Sequence, residues 1–256
     1  MIGRLEDITG KIFLVLAFFY LALQQIASIV TIIRLRGNVE LFPLALSSRL
    51  LGLLFLCFVV CLTVVRLPPR QSAEGIEPRL SALAGTFGLM VLVVLPRGTV
   101  GQGMLIASTF LILIGTALSI YCLFWLGRSF SVMATARKLV TTGPYAIVRH
   151  PLYAAEAISA VGFLIANWSL AALLVGAVHF AFQFRRMFNE ERVLRRTFPE
   201  YASYASSVPK FIPGSSFTLP SGLPLWRGAY SDARSRETIR TYPAPMGRND
   251  RAADPP

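Results

Sequence analysis

The stretch PLYAAEAISAVGFLIANWSLAALLVGAVHFAFQFRRMFNEE, residues 151–191, decides the fold. It is apolar from Pro151 to about Phe184, too long for one crossing of a hydrocarbon core that about 20 helical residues span. Asn167-Trp168-Ser169 breaks it, so it reads as a helical hairpin with arms from Pro151 to about Ala166 and from about Leu170 onward. Pro151 suits the first helical position, where its missing N–H is harmless. The first arm is short, which leaves two readings open: a tilted crossing, or a hairpin that enters the bilayer partway.

The rest of the chain is of the same kind. Of 256 residues, 54% are hydrophobic and 15% charged, well below the roughly 25% charged usual in soluble domains, and the mean hydropathy is +0.59. Apolar blocks run from Ile12 to Ile33, Leu41 to Val65, Leu80 to Leu95 and Met104 to Leu126, the third being short. The first follows a weakly charged start without a small-x-small cleavage site, and so reads as a retained span. Arg97-Gly98 and Gly101-Gln102-Gly103 make a tight turn into the fourth. Leu194, Phe198 and Tyr201 recur at helical spacing beside Arg192, Arg195 and Arg196, the pattern of an amphipathic helix at the interface. Beyond Pro213-Gly214 the chain is rich in Pro, Ser, Gly and Arg, which predicts disorder. The expected fold is all-α: about four transmembrane helices over 1–126, a polar loop, hairpin and interfacial helix over 127–213, and a disordered tail over 214–256.

A net charge of +12 raises the question of nucleic acid, but the basic residues flank apolar blocks and form no stripe with interleaved aromatics. Membrane topology accounts for them. With the N-terminus inside, Arg4, Lys11, Arg66, Arg70, Arg79, Arg128, Arg137, Lys138, Arg149, Arg185 and Arg186 face the cytoplasm, leaving chiefly Arg34, Arg36 and Arg97 outside. Both polar segments adjoining the hairpin are then cytoplasmic. Cys57, Cys61 and Cys122 sit inside apolar blocks without ligand spacing, so they read as packing residues and support neither disulfides nor zinc.

On the second arm His179, Gln183, Arg186 and Glu190 occur at i, i+4, i+7 and i+11, which keeps them within roughly 60° of arc at 100° per residue. Such groups near a membrane are costly and usually face a partner or a watery cavity. The plainer reading is an Arg186–Glu190 pair at the helix exit, with His179 and Gln183 bonding neighbouring helices. A second polar element favours the cavity. Gly143-Pro144-Tyr145 forms a turn, and Arg149-His150-Pro151 starts the first arm, whose free N–H groups, backed by Arg149, make an anion site. Tyr153 follows on the side of His150. An amino acid zwitterion suits this pair of arms, its carboxylate at the helix start and its ammonium at Glu190.

These residues resemble the isoprenylcysteine carboxyl methyltransferase family and its phospholipid methyltransferase relatives. The likeness runs over about residues 127 to 214: Thr142-Gly143-Pro144-Tyr145, Arg149-His150-Pro151-Leu152-Tyr153, Gly162, Glu190-Glu191 with Leu194, then Phe198, Tyr201, Tyr204 and Pro213. It implies a multi-span enzyme that moves the methyl group of S-adenosylmethionine to a lipophilic acceptor from the bilayer. By position it implies that Arg137, Lys138, Leu139, Val140, Tyr145, His150, Pro151, Leu152, Tyr153 and Glu190 contact the cofactor while Arg186 faces the acceptor. Ala154 stands where many relatives have Gly. Phe198-Pro199 replaces their usual Phe-Gly and is expected to restart the helix with Pro in its first turn.

An in-line methyl transfer needs donor and acceptor held in near-attack geometry and water kept out; it requires no metal. Arg186 suits a carboxylate such as a prenylcysteine, and a carboxyl O-methyltransferase is the favoured form. A thiolate or amine would need a base, and His179 is the histidine on that face. Gly98-x-x-Gly101-x-Gly103 lacks the G-x-G-x-x-G order and is read as a turn. The expected partners are the acceptor and membrane lipid, with no nucleic acid. Two other readings compete: a membrane reductase of the sterol reductase type that holds NADPH, and a transporter or scaffold whose stripe lines a path.

Overall fold

A bilayer offers no water to backbone N–H and C=O groups, so a chain this apolar must satisfy them within helices. The computed structural model describes residues 2–38, 41–96 and 98–213. Its α-helices run over Ile2–Arg34 (α1), Phe42–Val65 (α2), Glu77–Phe87 (α3), Gln102–Leu126 (α4), Pro151–Ala166 (α5), Leu170–Thr197 (α6) and Tyr201–Ser207 (α7). Stretches long and apolar enough to cross a membrane are Asp7–Arg34, Phe42–Val65 and Gln102–Ser129, and α5 is a shorter apolar helix. The protein is an all-α membrane helix bundle. Phe13, Leu16, Phe19, Tyr20 and Leu23 of α1 point outward, a face for lipid chains and not for water.

The hairpin forms where the sequence places it. Ser169 caps α6 by accepting the Ala172 N–H at 3.1 Å, which satisfies one of the donors a helix start leaves open. The third apolar block differs from expectation. It is an α-helix only over Glu77–Phe87 and continues as a 3₁₀ helix over Gly88–Val93. Polar ties to α6 hold it: Asn189 Nδ2 donates to Ser81 Oγ at 3.2 Å, and Arg185 pairs with Glu77.

One end of the bundle carries the long-range connections. Two short antiparallel strands, β1 (Gln71–Ser72) and β2 (Thr135–Ala136), pair Gln71 with Ala136 and Ser72 with Thr135. The Arg70 and Ala73 N–H groups extend the ladder to the Ala136 and Ala134 carbonyls at 2.8 and 2.9 Å. Asp7 Oδ1 near the start of α1 accepts from Arg66 at 2.9 Å and Arg137 at 3.0 Å. The segment after α4 is thereby fastened to α1 and to the α2–α3 connection. Behind it lies a core of Leu14, Phe18, Val59, Leu62, Leu123, Phe130, Val132 and Leu152.

The expected interfacial helix is broken. α6 ends at Thr197, Pro199 lies in a turn, and α7 begins only at Tyr201, so Pro199 does not occupy the first turn of a restarted helix. Phe198 and Tyr201 instead close with Val193 on Ala136 of β2. That contact buries them, and a straight amphipathic helix could not make it. Arg97 and the tail over 214–256 lie outside the described residues.

Candidate active site

The segment between α4 and α5 is shaped at two glycines. Gly127 ends α4 at φ 51° and Gly143 opens the 3₁₀ turn Gly143–Ala146 at φ 61°, both in the left-handed region that favours glycine. A side chain on Gly143 would also run into the Trp125 ring. The turn buries Tyr145, whose carbonyl accepts from Tyr204 of α7 at 2.6 Å.

This segment, the start of α5, the C-terminal half of α6 and α7 form a narrow, partly open cleft. Arg137, Lys138, Leu139, Val140, Tyr145, His150, Leu152, Tyr153, Arg186 and Glu190 all line it. Pro151 does not; it sets the start of α5 at N1. Sequence reading did not single out Ser131, Met133 or Thr135, which also line the cleft; they lie in the irregular segment that ends in the two-residue strand β2, too short to carry a periodic signal.

Tyr153 is the hub. Its hydroxyl donates to Glu190 Oε2 at 2.8 Å, the Arg186 guanidinium lies over its ring at 5.1 Å, and His150 meets it edge-on at 5.5 Å. Arg186 is buried, with Nε donating to the Val132 carbonyl at 3.1 Å and Nη1 3.7 Å from Glu156 Oε2. Glu156 was missed in the sequence, although an acid inside an apolar helix is itself a signal.

The start of α5 is more occupied than the sequence suggests. The Arg149 and His150 N–H groups donate to the Pro209 and Lys210 carbonyls at 2.8 and 3.1 Å. With Pro151 lacking an N–H, helix geometry leaves those of Leu152 and Tyr153 open. The His150 and Arg149 side chains turn to Glu191, at 3.1 and 3.7 Å, and Lys210 joins at 3.2 Å. Burial opposes ionisation of Glu191, but the His150 hydrogen bond and the charges of His150, Lys210 and Arg149 outweigh it and draw the carboxyl down to about 2. Of the adjacent acids Glu190 and Glu191, one faces the cleft and the other anchors its wall. Burial also pushes the Tyr204 hydroxyl up to about 12 and Tyr145 well above its ordinary value.

Among the described residues, Ser131 Oγ, Thr135 Oγ1, Arg137 Nε, Tyr145 OH, Arg149 Nε and Nη1, and Tyr201 OH are buried without a hydrogen-bond partner. All belong to residues that line this cleft, while two further such atoms, Arg66 Nε and His179 Nδ1, belong to residues outside it. Buried polar groups are ordinarily paired, so their convergence marks a place for a polar guest rich in acceptors. The carboxylate, ribose hydroxyls and ring nitrogens of S-adenosylmethionine would fit that donor set, and Glu190 is the carboxylate on the same wall.

A second, larger cavity lies among α1 to α6. Its wall is apolar, with Phe18, Leu56, Leu89, Ile112 and Phe163, and Glu156, His179, Gln183 and Arg186 give it a polar end. The four-residue stripe thus divides: His179 and Gln183 face the chamber, Glu190 faces the cleft, and Arg186 lines both.

Residues 103–201 match the family model described as phospholipid methyltransferase. The likeness read from the sequence therefore holds, and reaches back through α4. The cobalt-zinc-cadmium resistance protein CzcN of Cupriavidus metallidurans is 41% identical over 76 residues, 29% of this chain and 35% of that protein. The nickel-cobalt-cadmium resistance protein NccN of Alcaligenes xylosoxydans xylosoxydans is 38% identical over 77 residues, 30% of this chain and 36% of that protein. Protein-S-isoprenylcysteine O-methyltransferase B of Arabidopsis thaliana is 33% identical over 111 residues, 40% of this chain and 56% of that protein. The aligned part of the chain spans about a third to somewhat over half the length of these relatives.

Proposed function

We propose that the protein is an S-adenosylmethionine-dependent methyltransferase that takes a lipophilic acceptor from the membrane, with its cleft at the cytoplasmic face. The observation that carries the reading is the ring of orphaned buried donors around the cleft, with Glu190 on its wall and an apolar chamber meeting it at Arg186. The family match over 103–201 covers the segments that build the cleft down to Tyr201 and supports the same activity. The excess of Lys and Arg at this end supports the orientation.

When bound, the cofactor supplies an electrophilic methyl group on sulfonium. The protein's own share is to hold and exclude. Glu190, fixed by the Tyr153 hydroxyl at 2.8 Å, pairs with the ammonium. The open N–H groups of Leu152 and Tyr153 and the free edge of Arg149 receive the carboxylate. Arg137 to Val140 form the adjoining wall, and apolar packing beneath Phe130 and Leu152 keeps water from the meeting point. Arg186, at the boundary of the two cavities, orients the acceptor's head. A carboxylate head such as that of a prenylcysteine would have to compete there with Glu156, 3.7 Å from the same guanidinium.

Direct binding to the purified protein in detergent tests this. Labelled S-adenosylmethionine should bind and NADPH should not, and Glu190→Ala should weaken the former at least about tenfold, the scale of one charge-assisted hydrogen bond. Unchanged affinity in Glu190→Ala would remove that carboxylate from the site, and binding of NADPH alone would favour the reductase.

A further inference from the structure

Glu156, a half-buried acid at the chamber's polar end, does not line the cleft. Glu156 lies one turn beyond Tyr153 on α5 and lines the chamber. Gln183 Nε2 donates to its Oε2 at 3.0 Å, and Arg186 Nη1 is 3.7 Å from the same oxygen. Oε1 has no partner among the described residues. His179, on the wall of the same chamber, is 5% exposed, and its Nδ1 is buried without a partner. A chamber end that offers a carboxylate oxygen without a protein partner suits a guest whose head carries protons.

The charges point the same way. Arg186 is already matched by Glu156, so an acceptor carboxylate would enter as an unmatched anion beside a second carboxylate, which burial and like charge both oppose. An ammonium or thiol head meets a carboxylate that can bond it.

We infer that Glu156 is a catalytic base, and that the acceptor is an amphiphile whose nucleophile is protonated on arrival, an amine or a thiol. The inference rests on the methyltransferase reading above. Glu156 Oε1 takes the proton from the ammonium or thiol, which leaves an electron pair on nitrogen or sulfur. That pair forms the bond to the donated methyl carbon as its bond to the sulfonium breaks, the released pair staying on the departing thioether. Gln183 and Arg186 hold Oε2, so that Oε1 stays turned to the nucleophile.

Two measurements test this, one of them without cofactor. Calorimetric binding of hexadecylamine to the detergent-solubilised protein should weaken about tenfold in Glu156→Gln, the loss of a charge-assisted contact; equal binding overturns the inference whatever the cofactor does. In the second, membranes that contain the wild-type protein and vector-only membranes receive methyl-labelled S-adenosylmethionine, and the lipids are then treated with base. Label that survives base, as on nitrogen or sulfur, is expected. It should fall about hundredfold in Glu156→Gln, the scale of general base catalysis, with cofactor affinity kept as the sign of an intact fold, and Glu156→Asp should retain part of it. Label released by base as an ester methyl, base-stable label that persists in Glu156→Gln, or no lipid label above the vector control overturns it. Failure of the wild-type protein to bind the cofactor at all strikes the methyltransferase reading instead, while the hexadecylamine result still stands.

Discussion

Glu191 is held by His150 at 3.1 Å, Lys210 at 3.2 Å and Arg149 at 3.7 Å, so that one carboxylate fixes the helix start, α6 and the segment after α7. Replacing it by Ala leaves those cations buried together. A loss on the order of 3 kcal/mol is expected, as when one partner of a buried pair is removed, readable as a lower Tm in detergent. The pH dependence has a definite sign. The folded carboxyl titrates near 2 against an ordinary 4.5, so its stabilisation is complete above about 4.5 and disappears as pH falls toward 2. Thermal unfolding should record this as a fall in Tm within that window, and Glu191→Gln should flatten it. Arg186 likewise does more than the sequence implied. Because it carries the Val132 carbonyl and the Tyr153 ring, Arg186→Ala should lower cofactor affinity as well as turnover, and the same binding assay checks it.

The helix pair α4 and α5 sets where the cleft begins, and small residues let the two approach. A side chain on Gly162 would meet the Ser108 carbonyl at 2.7 Å, and one on Gly115 would meet the Ala155 carbonyl at the same distance. Backbone cannot step aside as a side chain can. Gly162→Ala should therefore cost about 1–3 kcal/mol of stability through overpacking and weaken cofactor binding by shifting His150 and Tyr153 at the helix start. Gly176 is the contrast: its neighbours are the methyl groups of Leu164, the far end of a flexible side chain, so Gly176→Ala should cost less. Comparing the two melting curves checks the difference.

At the scale of the molecule, Asp7 links the first helix to a segment far along the chain through Arg66 and Arg137. Arg137 lines the cleft, so Asp7→Ala should raise the cofactor Kd severalfold although Asp7 touches no guest; an unchanged Kd would show that β2 alone holds Arg137 in place. Orientation is testable apart from activity. Glu74 is exposed in the α2–α3 connection at the same end as the cleft. A lone cysteine there, in a Ser variant of Cys57, Cys61 and Cys122, should react with an impermeant maleimide only after the cytoplasmic side is opened.

The sequence by itself determined the long apolar spans and the two hairpin helices, because covering backbone in a bilayer demands apolar runs of fixed length, and Asn167-Trp168-Ser169 and Pro151 mark their breaks. It also placed His150, Tyr153, Arg186 and Glu190 at one end, because helical spacing fixes which side chains share a face. What only the tertiary structure decided depends on residues distant in the chain: that Arg149 and His150 turn to Glu191, that Phe198 and Tyr201 fold inward on β2, and that Glu156 meets Arg186 across the hairpin. Periodicity describes one helix at a time, and the partner of a buried charge is chosen by the packing of several.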